Sequence, residues 1–289
     1  MGKYIRAIGK TGAAVCYALE STDMVDRAEK IHQTSAVVTA ALGRLMTAAS
    51  IMGAMLKGED QSITLRITAD GQTGSVIAVA DAKGNVKGYV MNPVVELPLN
   101  SFGKLDVAGA VGKNGNLYVI KDVGLKEPYI GLVPLVSGEI AEDITNYFAT
   151  SEQIPTACGL GVLVNPDLTV KVAGGYIVQM LPGASEEDIS IIEKNIQAMP
   201  PVTQMLSEGV SIENIALRTL EGMSPEVLDE RSVEYRCDCT RERVEKALVS
   251  LGKDELVQMA EEDGKAEVCC HFCTKKYRFS KDEIFSLIS

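Results

Sequence analysis

Four cysteines near the C-terminus are the residues whose type and spacing could do chemistry. Cys237 and Cys239 form a C-x-C; after 30 residues (240–269), Cys270 and Cys273 form a C-x-x-C. Two close thiol pairs suit a tetrahedral four-sulfur site, because each pair gives two ligands from one loop and the insert folds back to bring the pairs together. A full sulfur shell leaves no coordination position for water, which points away from a catalytic zinc. Cys269 and His271 flank the second pair and are alternative ligand types. The two-residue knuckle favours Cys270 with Cys273, leaving Cys269 a spare thiol and His271 facing solvent. The same thiols can be read as a redox device, since zinc keeps sulfur deprotonated and reactive toward peroxide or hypochlorite. These residues alone leave an inert structural zinc and a switch both open.

Composition narrows the classes. The chain has 289 residues, 46% of them apolar and 23% charged, enough for a sizeable core and more than one domain. A net charge of −11 counts against a zinc-ribbon nucleic-acid-binding protein, the main alternative, because phosphate contacts need a basic face. A thiol-disulfide oxidoreductase would want its C-x-x-C at a helix N-terminus in a βαβ context, and here it reads as a strand knuckle. No G-x-x-x-x-G-K-[ST] loop occurs, so no ATP-driven activity is expected through a P-loop, and the chain reads as a non-enzyme. Met1–Arg6 has neither the apolar run nor the cleavage site of a secretory signal, which gives a cytoplasmic, reducing setting in which paired cysteines are metal ligands or redox thiols. Cys16 and Cys158 read as packing cysteines, and His32 as a structural histidine.

The elements that must position these thiols fall into three expected segments. Residues 1–181 read as an α+β domain, a mainly antiparallel sheet packed with helices. It opens with a hairpin about Lys10-Thr11-Gly12, followed by a helix near Thr22. From Thr34 to Met55 the sequence is apolar on nearly every helical face, which means a buried helix or a membrane span; Arg44 within it and Lys57-Gly58-Glu59-Asp60 after it favour the buried core, with its methionines as filler. Alternation marks a strand at 63–67, and further strands are expected at 76–80 and 86–90, joined by a hairpin at Lys83-Gly84-Asn85, and at 117–121 and 129–136. A helix is expected after Ser137, its N-cap, with Ile140, Ile144 and Phe148 on one face. Two more strands fall at 161–165 and 170–178, with Gly174-Gly175 marking a bulge or close backbone approach.

Residues 182–230 read as an acidic helical linker, with ten acidic and two basic residues. Ser185 caps its first helix, Pro200-Pro201 breaks it, and two short helices follow near 202–208 and 212–220. Its apolar residues Ile189, Ile192, Ile196, Met205, Leu206, Ile212, Ile215 and Leu220 either pack on the first domain or are exposed when the segment unfolds. Residues 231–289 read as a small zinc domain: helices capped by Thr240 and Asp254, strands at 267–273 and 276–279 around the knuckle, and a terminal helix opened by the capping box Ser280–Glu283. So small a unit should depend on its metal to fold.

The cysteine pattern followed by Tyr277-x-Phe279 resembles the heat shock protein 33 family, redox-regulated bacterial chaperones also called 33 kDa chaperonins. The likeness extends to Arg44, Gly88-Tyr89-Val90-x-Asn92-Pro93, Gly103–Val107, Val136–Ile140, Ser151–Pro155 and Gly161–Val164. The resemblance implies one zinc per chain held by Cys237, Cys239, Cys270 and Cys273 in an inactive reduced monomer. It implies activation by oxidation to the disulfides Cys237–Cys239 and Cys270–Cys273, with zinc release and a destabilised linker. The active form is then expected to be a homodimer that holds unfolded client proteins without ATP under oxidative stress, with no nucleic-acid or membrane partner. Cys269 departs from the four-cysteine pattern, and the sequence assigns no client-binding surface.

Overall fold

The computed structural model describes residues 1–262 and 264–288. The chain divides into two compact units, Met1–Arg236 and Cys237–Ser289. The first unit opens with a hairpin of β1 (Gly2–Gly9) and β2 (Ala14–Glu20), followed by α1 (Thr22–His32) and α2 (Ala36–Ala54). Every residue of α2 except Ala36 and Arg44 is buried, as a helix without a polar face requires. Among the described residues it is the one helix long and apolar enough to cross a membrane, and 89% of that apolar window is buried inside the protein. It is a core helix. At Gly53 a Cβ would stand 2.5 Å from the Asp81 carbonyl oxygen, so only glycine lets α2 come this close to the neighbouring strand.

Strands β3 (Ser62–Ala69), β4 (Val76–Asp81) and β5 (Val86–Val90) precede a short helix α3 (Val107–Val111), then β6 (Gly115–Asp122) and β7 (Tyr129–Pro134). These strands form a five-stranded antiparallel sheet in the order β5-β4-β3-β6-β7. Its alternation is that read from the sequence: Ile63, Leu65 and Ile67 are buried against α2, while Thr64, Arg66 and Thr68 point away.

Helix α4 (Ala141–Tyr147) runs into a π-helical turn, Phe148–Glu152. Its N-terminus corrects the sequence reading. The residue at the cap is Ile140, in the left-handed region at φ 73°, and Ser137 lies upstream of the helix. The capping work falls to the buried Asp143, whose carboxylate accepts from the backbone N–H groups of Val136 (2.8 Å), Ser137 (3.1 Å), Gly138 (3.1 Å) and Ile140 (2.9 Å). A carboxylate can take several donors at once, whereas a serine hydroxyl has fewer lone pairs to offer.

Strands β8 (Thr156–Val164) and β9 (Val170–Met180) complete the strand pairs expected from the sequence. Gly174 and Gly175 pair in regular register with β2, and the irregularity in this pair lies at Leu163/Val164. The two glycines therefore serve close approach: a Cβ at Gly175 would stand 2.7 Å from the Gly159 carbonyl oxygen. Helices α5 (Glu186–Ala198), α6 (Val202–Ser207) and α7 (Ile212–Thr219) follow, then β10 (Pro225–Val233). The second five-stranded sheet has the order β10-β1-β2-β9-β8 and is also antiparallel throughout. One face covers α2; the other carries Ile5, Ala7, Ala14 and Val178 and is covered by Met205 of α6, Ile212 and Ile215 of α7 and the following Leu220, with Ile192 of α5 completing the cluster.

The second unit comprises α8 (Arg241–Val249), α9 (Lys253–Glu262), the hairpin β11 (Lys265–Cys269) and β12 (Lys276–Ser280), and α10 (Lys281–Ile288). Eight buried residues, from Val244 to Ile284, make up its core. The architecture is thus α+β, with two antiparallel sheets, helices and a C-terminal four-cysteine cluster. Asp143→Ala is expected to destabilise the first unit by about 3 kcal/mol or more, since it leaves several buried N–H groups without an acceptor. Chemical denaturation would check this; a midpoint shift within error of zero would refute it.

Candidate metal centre

Cys237 and Cys239 lie in the loop entering α8, whose first turn is capped by the Thr240 hydroxyl accepting from the Arg243 N–H at 3.3 Å. Between the two cysteines, Asp238 is ion-paired with Arg243. The second pair sits in the turn between β11 and β12. There the Cys270 N–H donates to the Lys275 carbonyl at 3.0 Å and the Thr274 N–H to the Cys270 carbonyl at 2.8 Å, with Thr274 at φ 59° closing the turn.

Arg241 ties the first loop to the strand that follows the second. Its guanidinium stacks over the Phe279 ring at 4.3 Å, donates to the Arg278 carbonyl at 3.0 Å and pairs with Glu283 at 2.6 Å. One side chain thus ties the start of α8 to β12 and α10. Tyr277 on β12 adds a second tie, its hydroxyl standing 3.0 Å from the Cys239 carbonyl oxygen and 3.2 Å from the Cys239 sulfur.

The sulfurs of Cys237, Cys239, Cys270 and Cys273 all lie within 4.8 Å of one another, with Cys237–Cys270 at 3.7 Å and Cys239–Cys273 at 3.3 Å. A tetrahedron with zinc–sulfur bonds of about 2.3 Å has edges of about 3.8 Å, so the donor set and its spacing fit a four-thiolate metal site. In such a tetrahedron all six sulfur–sulfur edges are alike, so proximity does not select which sulfurs pair on oxidation. The thiols differ electrostatically. Burial pushes Cys237 well above its ordinary value, and its contacts with the other thiols act in the same direction. Burial also opposes ionisation at Cys239, but hydrogen bonds from Tyr277 and the neighbouring thiols outweigh it and lower that thiol to about 7. A bound metal would deprotonate all four.

Cys269 ends β11 and is exposed, its thiol 3.5 Å from the Thr274 carbonyl oxygen. His271 is exposed in the turn, and neither residue is a member of the four-sulfur group. Cys16 is fully buried on β2, where burial pushes its thiol up to about 12, and burial likewise raises Cys158 on β8. His32 Nε2 lies 2.9 Å from the Gly88 carbonyl oxygen. Sequence reasoning gave Arg241 and Tyr277 no role at the cluster. For Tyr277 a signal was present: Tyr277 and Phe279 alternate along a strand and so share its inward face.

Comparison with known proteins agrees with this architecture. The family model described as Hsp33 protein matches residues 2–280. The 33 kDa chaperonin of Clostridium acetobutylicum is 48% identical over 287 residues, covering 99% of this chain and 97% of the relative. That of Acetivibrio thermocellus is 50% identical over 284 residues, covering 98% and 96%. The crystal structure of the 33 kDa chaperonin from Thermotoga maritima superposes with a TM-score of 0.88 at 39% identity, covering 99% of this chain and 97% of that one.

Replacing Arg241 by Ala removes the stacking on Phe279, worth about 0.5–1 kcal/mol near a surface, and two surface ion pairs, with Glu245 and Glu283, each worth less. Hydrogen exchange across 237–249 should accelerate several-fold; unchanged protection there would show that Arg241 does not hold the loop.

Proposed function

The chain belongs to the Hsp33 family of 33 kDa chaperonins, which is non-catalytic, and on that premise we propose that it is a redox-regulated, ATP-independent holdase. The observation that carries the reading is the convergence of four sulfurs from two distant motifs at tetrahedral spacing. Cys237, Cys239, Cys270 and Cys273 would hold one zinc ion, whose chemistry is to keep the sulfurs as thiolates and to cross-link a unit of small core. Two-electron oxidation of each pair, to Cys237–Cys239 and Cys270–Cys273, replaces thiolates by disulfides that are poor ligands and removes that cross-link. The setting that suits such a switch is the reducing cytoplasm, where thiols stay reduced until peroxide or hypochlorite rises.

The domain division in this reading is a core of residues 1–181, a linker of 182–230 and a switch domain of 231–289. Two features of the linker support a role in activation. Helices α6 and α7 are short, and the longer α5 buries only Ile192. Helices α6 and α7 lie on an apolar sheet face built from β1, β2 and β9, with α5 packed against α7, so detaching them exposes apolar surface on both sides of the contact. Such surface is what unfolded client proteins bind, and it would also serve the pairing of two activated chains into a homodimer. The excess of acidic residues over the chain disfavours a nucleic-acid partner.

Cys270→Ser is expected to lower bound zinc well below the roughly one ion per chain of a four-thiolate site, while Cys269→Ser and His271→Ala leave it unchanged. Metal analysis of the purified variants checks this, and loss of zinc in Cys269→Ser would reassign the ligand set. In a peroxide time course at mild heat, zinc release, loss of free thiols and suppression of client aggregation should rise together. An oxidised, zinc-free protein that let a denatured client aggregate freely would refute the proposed function.

A further inference from the structure

We propose that the Tyr277 hydroxyl, by donating a hydrogen bond to the Cys239 sulfur, sets how readily that sulfur is oxidised, so that Tyr277 is a positioning residue of the switch; the inference rests on the redox reading above. Tyr277 stands opposite Val268 in the β11–β12 ladder and is buried in the core of the second unit. Its hydroxyl has one proton and two acceptors in reach, the Cys239 carbonyl oxygen at 3.0 Å and the Cys239 sulfur at 3.2 Å. Once the sulfur is a thiolate it is the charged acceptor, and the charge-assisted bond is the stronger of the two. The Lys275 ammonium lies over the Tyr277 ring, 5.0 Å from its centroid, and helps to hold the ring in place. Among the described residues, Tyr277 is the hydroxyl side chain bonded to one of the four sulfurs, which sets Cys239 apart from the other three.

The consequence follows from what oxidation demands of the sulfur. With hydrogen peroxide as oxidant, the Cys239 thiolate attacks one peroxide oxygen. A sulfur–oxygen bond forms, the oxygen–oxygen bond breaks, and the departing hydroxide takes up a proton as water. The Cys237 sulfur then displaces the sulfenic hydroxyl, forming the disulfide and releasing a second water, so two electrons pass from two sulfurs to one peroxide. The first step uses a sulfur lone pair. A hydroxyl bonded to that sulfur draws on the same electron density and stands in one line of approach, so it slows attack. The same hydroxyl, holding both the carbonyl and the sulfur of Cys239, fixes the C-x-C loop against the hairpin, as outer-shell partners of metal ligands do.

Tyr277→Phe removes one oxygen atom and keeps the ring, its packing and its contact with Lys275. In the zinc-loaded variant, site-resolved alkylation and mass spectrometry after a peroxide pulse should show the Cys237–Cys239 pair oxidised roughly three- to tenfold faster than in the parent chain, without a matching change at Cys270 and Cys273. Zinc affinity, measured by chelator competition, should fall roughly tenfold. Ile284→Val is the comparison, since it loosens the same core without touching the hydroxyl or the Arg241–Phe279 stack, and it should not single out the Cys237–Cys239 pair. The inference is overturned if Tyr277→Phe leaves the oxidation rate of the Cys237–Cys239 pair unchanged, whatever the zinc affinity. It is equally overturned if Ile284→Val produces the same selective acceleration. A parent chain whose four thiols ignored peroxide altogether would instead defeat the redox reading and this inference with it.

Discussion

A helix with no polar face has to be enclosed, and in the first unit that requirement is met by α2. Two sheets, each turning an apolar face to it, close on it. Close packing explains details that otherwise look unrelated. Gly53 is needed where the helix meets the Asp81 carbonyl, and the core fills with alanine and methionine, side chains that fit narrow or irregular gaps. Arg44 is the one charged residue in the helix, and it is paired with Glu139, its Nη1 also donating to the Glu139 carbonyl at 3.1 Å. The residue that breaks the apolar pattern thus ties the helix to the loop before α4.

The second unit faces the opposite problem. Its core is small, and much of what holds it in shape is polar and peripheral: Arg241 bridging α8 to β12 and α10, Glu267 paired with Lys276 and Arg278 across the hairpin, Ser280 and Glu283 capping α10. Exposed pairs of this kind each contribute little. In the proposed function a four-thiolate metal supplies the missing stability, and a unit so dependent on one cross-link is well suited to being switched by the loss of it.

Much of this was legible in the chain itself. Strict alternation in 63–67 and the absence of any polar face in 34–55 are signals of the buried environment, and both elements formed where the pattern placed them. The cysteine spacing was legible because ligand geometry constrains it. What the pattern did not show was structure set by distant partners. Strand β10 has mostly exposed side chains, including Glu226, Val227 and Leu228, so no burial period marks it; it is a strand because β1 offers it an edge. Likewise Ser137 has the composition of a cap, but the loop before α4 wraps back on Asp143, a geometry that local sequence does not reveal. The place of Tyr277 beside Cys239 depends on a contact between residues 38 apart.

The pairing of β10 with β1 changes what it means for the preceding helices to melt. The segment carrying α5, α6 and α7 leaves the sheet at the end of β9 and rejoins the same sheet at the start of β10. If those helices detach while both strands stay in place, what is freed is a closed loop of roughly 45 residues, pinned at both ends, and not a trailing arm. Pinning the ends withholds about 3 kcal/mol of the chain entropy that a free tail of that length would gain. It also keeps the loop's apolar residues beside the sheet face they have just uncovered, so a client would meet one continuous adhesive region with its own retractable cover.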